Sequence, residues 1–66
     1  MIIVEVIFIN RILNKYMVEE KCFNCRIKAL RFMYGMRRKG HIINGWRCDH
    51  EEDNEYLSKR FKLKDW

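Results

Sequence analysis

Two residue pairs in this chain have the types and spacing of half a metal site each. Cys22-x2-Cys25 is the usual half of a structural zinc centre, and Cys48-x-His50 supplies two more ligands of suitable softness. Together they would complete a Cys3His tetrahedron. Other features weigh against it. No Gly-rich turn separates Cys22 from Cys25, Cys25 falls where a helix is expected to begin, and a single residue between Cys48 and His50 is an uncommon second half. The competing reading is three small apolar side chains used for packing. Zinc is the one cofactor the residues suggest, and the expectation is that none is bound.

Catalysis by a nucleophile needs a thiol or hydroxyl, a base and a group to orient that base. Cys48 and His50 supply the first two, and no third group is implied. The chain has no P-loop and no GxSxG. An enzyme is not expected. The acidic run Asp49–Glu55 lacks the DxDxDG spacing of a calcium loop and reads as the charged start of a helix. Lys28, Arg31, Arg38 and Lys39, with Arg26 and Arg37 nearby, could contact phosphates. Single-strand binding would also need exposed aromatic platforms, whereas Phe32 and Tyr34 are expected to pack. Nucleic acid is therefore the alternative partner, and a solvated basic face is the plain explanation.

The elements that would carry these residues follow from pattern. Sixty-six residues make one domain. A chain so short buries only about 60% of its unfolded surface, so each large apolar residue matters. Ile2–Ile9, IIVEVIFI, is β-branched and reads as a strand. Val4, Val6 and Phe8 take one face; Ile3, Glu5, Ile7 and Ile9 take the other, still mostly apolar, face. That implies a central strand or a covered outer face. After the basic turn NRILNK, Tyr16–Phe23 returns as a second strand, giving a hairpin.

Asn24–Gly40 reads as one helix. Asn24 is the expected N-cap and Gly40 the C′ residue, with Arg37, Arg38 and Lys39 in the last turn. Cys25, Ala29, Phe32, Met33 and Met36 share one side, with Ile27, Leu30 and Tyr34 in a flanking strip. In HIINGWRCD, Asn44-Gly45 signals either a tight hairpin or one longer strand bulged at Gly45. The single strand is favoured because the hairpin's flanks would be only about three residues long. Asp49–Leu63 reads as a helix with acidic residues first and basic residues last, opened by a capping box of Asp49 and Glu52; a strand over Tyr56–Leu63 is the rival. The fold class is α+β: a hairpin, a helix on a small antiparallel sheet, further strand and a C-terminal helix.

The surplus of apolar strips points to a partner. Ile27, Leu30 and Tyr34, with Trp46 and the terminal Trp66, exceed what so small a domain easily hides. Ile27, Leu30, Tyr34 and Trp46 are the expected anchors of a protein contact, with Arg31 and Arg38 as its charged rim. A second copy of the chain is another candidate partner. The net charge of +5 favours an acidic surface. Met1–Ile9 lacks the basic n-region and cleavage site of a secretion signal and is too short to span a bilayer. No membrane is expected, and three cysteines, an odd count, fit a reducing cytoplasm.

The opening MIIVEVIFINR, followed by a second strand and a helix, resembles small early proteins of T-even-like bacteriophages. Its layout is similar to that of Dmd-type phage antitoxins, over about the first forty residues and by pattern rather than by a diagnostic motif. GHIINGWRCDHEEDNEYL has no counterpart there, so no functional residue carries over. The resemblance implies a class: a non-enzymatic phage protein in the host cytoplasm that disarms or modulates a bacterial toxin, nuclease, defence factor or polymerase by direct contact.

Overall fold

β-branched residues at alternate positions and one helical repeat of small and apolar residues account for most of the architecture. In the computed structural model, which describes residues 1–62, the order is β1 (Ile2–Asn10), β2 (Lys15–Phe23), α1 (Arg26–Arg38), β3 (Ile42–Cys48) and α2 (Glu51–Arg60). The expected α+β class is present: a hairpin, a helix, one more strand and a second helix on an antiparallel sheet ordered β2-β1-β3. The expected helical end at Leu63, and Trp66, lie outside the described residues.

β1 is the central strand. Its side chains at Ile2, Val4 and Val6 are fully buried beneath Ala29 and Met33 of α1 and Leu57 and Phe61 at the end of α2, with Ile43 of β3 closing the cluster. The period of two on the strand and the i, i+4 spacing on both helices put these residues on facing surfaces. Phe8, on the same face of β1, is only partly buried against this core.

β1 and β2 pair without interruption from Ile2 opposite Phe23 to Asn10 opposite Lys15. The turn between them is held by Asn10, whose Oδ1 accepts the backbone N–H groups of Ile12 and Leu13 at 3.1 Å, and by Asn14 in the left-handed region. β3 is one strand, as favoured. Its register steps from Gly45 opposite Glu5 to Ile43 opposite Val6, so the extra residue of the bulge is Asn44, beside the glycine expected to mark it. The bulge keeps Ile43 on the core side. A tight Asn-Gly turn would forfeit pairing along β1 from Ile2 to Ile7.

Both helix starts differ from expectation. The N-cap of α1 is Cys25, not Asn24, and no side-chain hydrogen bond closes it, although its thiol lies near the N–H groups of the first turn. Phe23 packs on Phe32 at 5.1 Å between ring centroids, which sets where the chain turns and delays the helix by a residue. The N-cap of α2 is His50, again without a side-chain cap. The capping box of Asp49 and Glu52 does not form, because the Asp49 carboxylate takes the Met1 ammonium at 3.0 Å. The charge order along α2 is as expected, with Glu51, Glu52 and Asp53 in the first turn and Lys59 and Arg60 in the last.

The end of α1 is a Schellman motif. His41 N–H donates to the Met36 carbonyl and Gly40 N–H to that of Arg37, both at 3.0 Å, with Gly40 at φ +92°. The turn delivers His41 beside the sheet. There Ile9 N–H donates to His41 Nδ1 at 3.1 Å and the imidazole packs on Phe8. A side chain thus continues the β1–β3 ladder past the last backbone pair, Ile7 with Ile42.

Candidate functional site

The sequence-predicted anchors occupy the side of the molecule where α1, α2 and β3 meet. Leu30 packs on the core, and Trp46 is half-buried, donating its indole N–H to Asn54 Oδ1 at 3.0 Å and meeting Phe61 edge-on. Tyr34 stacks at a tilt on Phe61, and its hydroxyl donates to the Arg60 carbonyl; 40% of the residue stays exposed. Ile27 is 48% exposed. α2 therefore takes up much of the flanking strip of α1 and leaves Ile27 and the edge of Tyr34 facing outward. Of the basic residues, Arg26 pairs with Asp53 at 3.6 Å and lies over Tyr56. Arg37 lies 3.8 Å from the centroid of the Phe61 ring and donates to the Lys62 carbonyl. Lys28, Arg31, Arg38 and Lys39 are exposed.

The larger apolar surface is elsewhere. Helices cover one face of the sheet, and among the described residues no element covers the other. Cross-strand register places Val18, Ile7 and Ile42 in one row on that outer face, and Tyr16 with Ile9 in the next. Val18 is 54% and Tyr16 72% exposed. The row beyond is polar: Glu5 opposite Glu20, with Arg47 reaching Glu20 at 2.7 Å and Asn44 donating to Glu5. An apolar patch bounded by charges is the usual form of an association surface. It runs on to the hairpin tip, where Ile12, 94% exposed, and Leu13 face solvent.

Beneath the tip, on the helix side of the sheet, an open cleft of about 950 Å³ separates the hairpin from the end of α1. Phe8 and Met17 supply apolar wall. Arg11, Lys15, Arg38 and Lys39 supply positive charge against one carboxylate, Glu19. The basic residues expected to meet phosphates thus divide: Arg38 and Lys39 reach this cleft, while Lys28 and Arg31 do not line it.

The four proposed zinc ligands are not brought together, and among the described residues no group of three or more His, Cys, Asp and Glu is placed to hold a metal. Alternation along the strands is the reason. Cys22 sits opposite Ile3 on the outer face, whereas Cys48 sits opposite Ile2 on the core side. Cys25 stands at the start of α1, where the backbone N–H groups of Lys28 and then Ile27 hold its thiol below the usual value. Burial pushes the Cys48 thiol up, and the Asp53 carboxylate adds to the shift.

The outer patch was the part sequence reasoning did not locate. Its signal lay in Ile3, Ile7 and Ile9, whose alternation announced a second apolar face that a central strand alone does not explain. Ile12 and Leu13, two aliphatic residues inside a turn, were the other sign. Among the described residues no helix is long and apolar enough to cross a membrane. No family model matches the chain, and no curated protein or solved structure matches it.

Proposed function

We propose that this chain is a non-enzymatic binding protein that inhibits or modulates another protein by direct contact. The uncovered outer face of the sheet carries this reading. Val18, Ile7, Ile42, Tyr16 and Ile9 would form the contact surface, ringed by the Glu20–Arg47 pair and Glu5. The apolar hairpin tip extends it. Ile27 and Tyr34, with Arg31 and Arg38 on their rim, would form a smaller helix-side contact, to which Leu30 and Trp46 lend packing support. The resemblance of the opening segment to phage antitoxins makes a bacterial toxin, nuclease, defence factor or polymerase the target we propose, met in the host cytoplasm.

The test is capture of a protein from bacterial lysate by immobilised chain, identified by mass spectrometry. Val18→Ser combined with Ile42→Ser should abolish capture while the far-UV circular dichroism stays unchanged. Ile27→Ser should weaken capture without abolishing it. Undiminished capture by the Val18/Ile42 variant would remove the outer face from the reading.

The basic cleft supports a second reading, a nucleic-acid contact at the hairpin tip through Arg11, Lys15, Arg38 and Lys39. If all of these meet phosphates of a single strand, log affinity falls with log salt at a slope of roughly −3. A flat salt dependence, or no binding to oligonucleotides at low salt, rules this out.

A further inference from the structure

We propose that the free edge of β2 pairs antiparallel with the same edge of a second copy of this chain, in the register that sets Met17 opposite Met17. Among the described residues, β2 has a hydrogen-bonded neighbour on one side only. Which of its backbone groups are free follows from β1. The Met1 carbonyl accepts from Asp49 N–H, and Ile9 N–H donates to His41, so odd-numbered residues at this end of the chain aim their backbone groups toward β3. Even-numbered β1 residues therefore bond β2, and their opposite numbers Lys15, Met17, Glu19, Lys21 and Phe23 spend their groups on that ladder. Tyr16, Val18, Glu20 and Cys22 present an N–H and a C=O at the open edge, a template for another strand.

Side chains select the occupant and the register. With a two-fold axis at Met17, Tyr16 faces the second copy's Val18 in a hydrogen-bonded pair, and the reverse pair repeats it. Lys15 faces the second copy's Glu19, also twice. Met17 meets Met17 in the close, non-hydrogen-bonded position. Neither Lys15 nor Glu19 is in an ion pair within the described residues. Centring on Val18 would set Lys15 against Lys21; centring on Glu19 or Glu20 would set a carboxylate against itself. Centring on Tyr16 would draw in Asn14, whose φ of +52° ends the strand. The segment Lys15–Glu19 is thus complementary to its own reverse, as an isologous interface requires. Met17 and Tyr16, both largely exposed in the single chain, gain partners.

Pairing at the edge leaves the outer face open, so the dimer and the binding of another protein to that face stand or fall separately. The experiment is sedimentation equilibrium on the full chain. The wild type should show a reversible monomer–dimer equilibrium. Val18→Pro removes an N–H that points to the open edge and not into the β1 ladder, a position where an edge strand tolerates proline; it should be monomeric with unchanged far-UV circular dichroism. Lys15→Glu and Glu19→Lys should each raise the dimer Kd by roughly tenfold, and the double exchange should restore it. This charge exchange decides the matter alone if the proline variant fails to fold. A wild type that stays monomeric at millimolar concentration overturns the proposal, as does a dimer indifferent to the charge exchange. A monomer that still captures a bacterial protein through Val18 and Ile42 sinks the dimer and spares the binding role; a folded monomer that captures nothing sinks both.

Discussion

Cys25 and Cys48 carry the same thiol in opposite electrostatic settings. N–H groups at the start of α1 favour the Cys25 thiolate, while burial and nearby carboxylates disfavour that of Cys48. Alkylation follows the thiolate. In the folded protein, iodoacetamide should label Cys25 faster than Cys48 at neutral pH, and the rate at Cys25 should reach its plateau at lower pH. Peptide mapping by mass spectrometry reads this directly; equal rates at the two sites would contradict the assignment. At Gly40 the backbone decides what a substitution costs. An added Cβ would find the Arg11 guanidinium at 3.6 Å, an ordinary contact, so the cost of Gly40→Ala is conformational. At φ +92° that cost is about 1 kcal/mol or somewhat more in urea denaturation, against a few tenths for a substitution elsewhere on the surface. Gly40 was legible in the sequence because a glycine after a run of cations marks a helix end. Asn24 misled because a good capping residue is a local signal, and the packing of Phe23 on Phe32 outweighs it.

At the scale of elements, α2 is what closes the core. Its exposed face is almost wholly charged, and it holds the fold through Leu57 and the Phe61 that follows it. Leu57→Ala should cost ~2–5 kcal/mol. A domain of this size has a total stability of only ~3–10 kcal/mol, so the variant should melt at least about 10 °C below the wild type by circular dichroism. Retained cooperative melting near the wild-type temperature would show that α2 is dispensable. β3 makes the converse prediction. Asn44 is the surplus residue opposite β1, so deleting it should leave Ile43 on the core side and Val6 as its partner. The deletion should fold, with the near-UV signal of Trp46 preserved; loss of that signal would mean the bulge is required. The strands and helices were legible because each has a sustained period. The choice between a hairpin and a bulge at Asn44-Gly45 was harder, because it depends on pairing with β1, which lies far away in sequence.

At the scale of the whole molecule, the fold is one-sided. Two helices share one face of a three-stranded sheet, and the described residues leave the other face bare. That asymmetry explains why the candidate surface was only half legible. Alternation in β1 revealed two apolar faces, but nothing in a single strand says which face the helices will choose or whether both will be covered. The flanking strip of α1 looked surplus for the complementary reason: Phe61, which covers part of it, is remote in sequence.

The strand order has a consequence for how the chain is made. β1 emerges first and finds β2 after a short turn, but its other edge stays open until Ile42–Cys48 has left the ribosome. Throughout that interval the nascent hairpin exposes Ile2, Val4 and Val6 along with unmet backbone groups. A chain cut short before Ile42 keeps that sticky form for good, so it should be recovered as aggregate rather than as soluble protein.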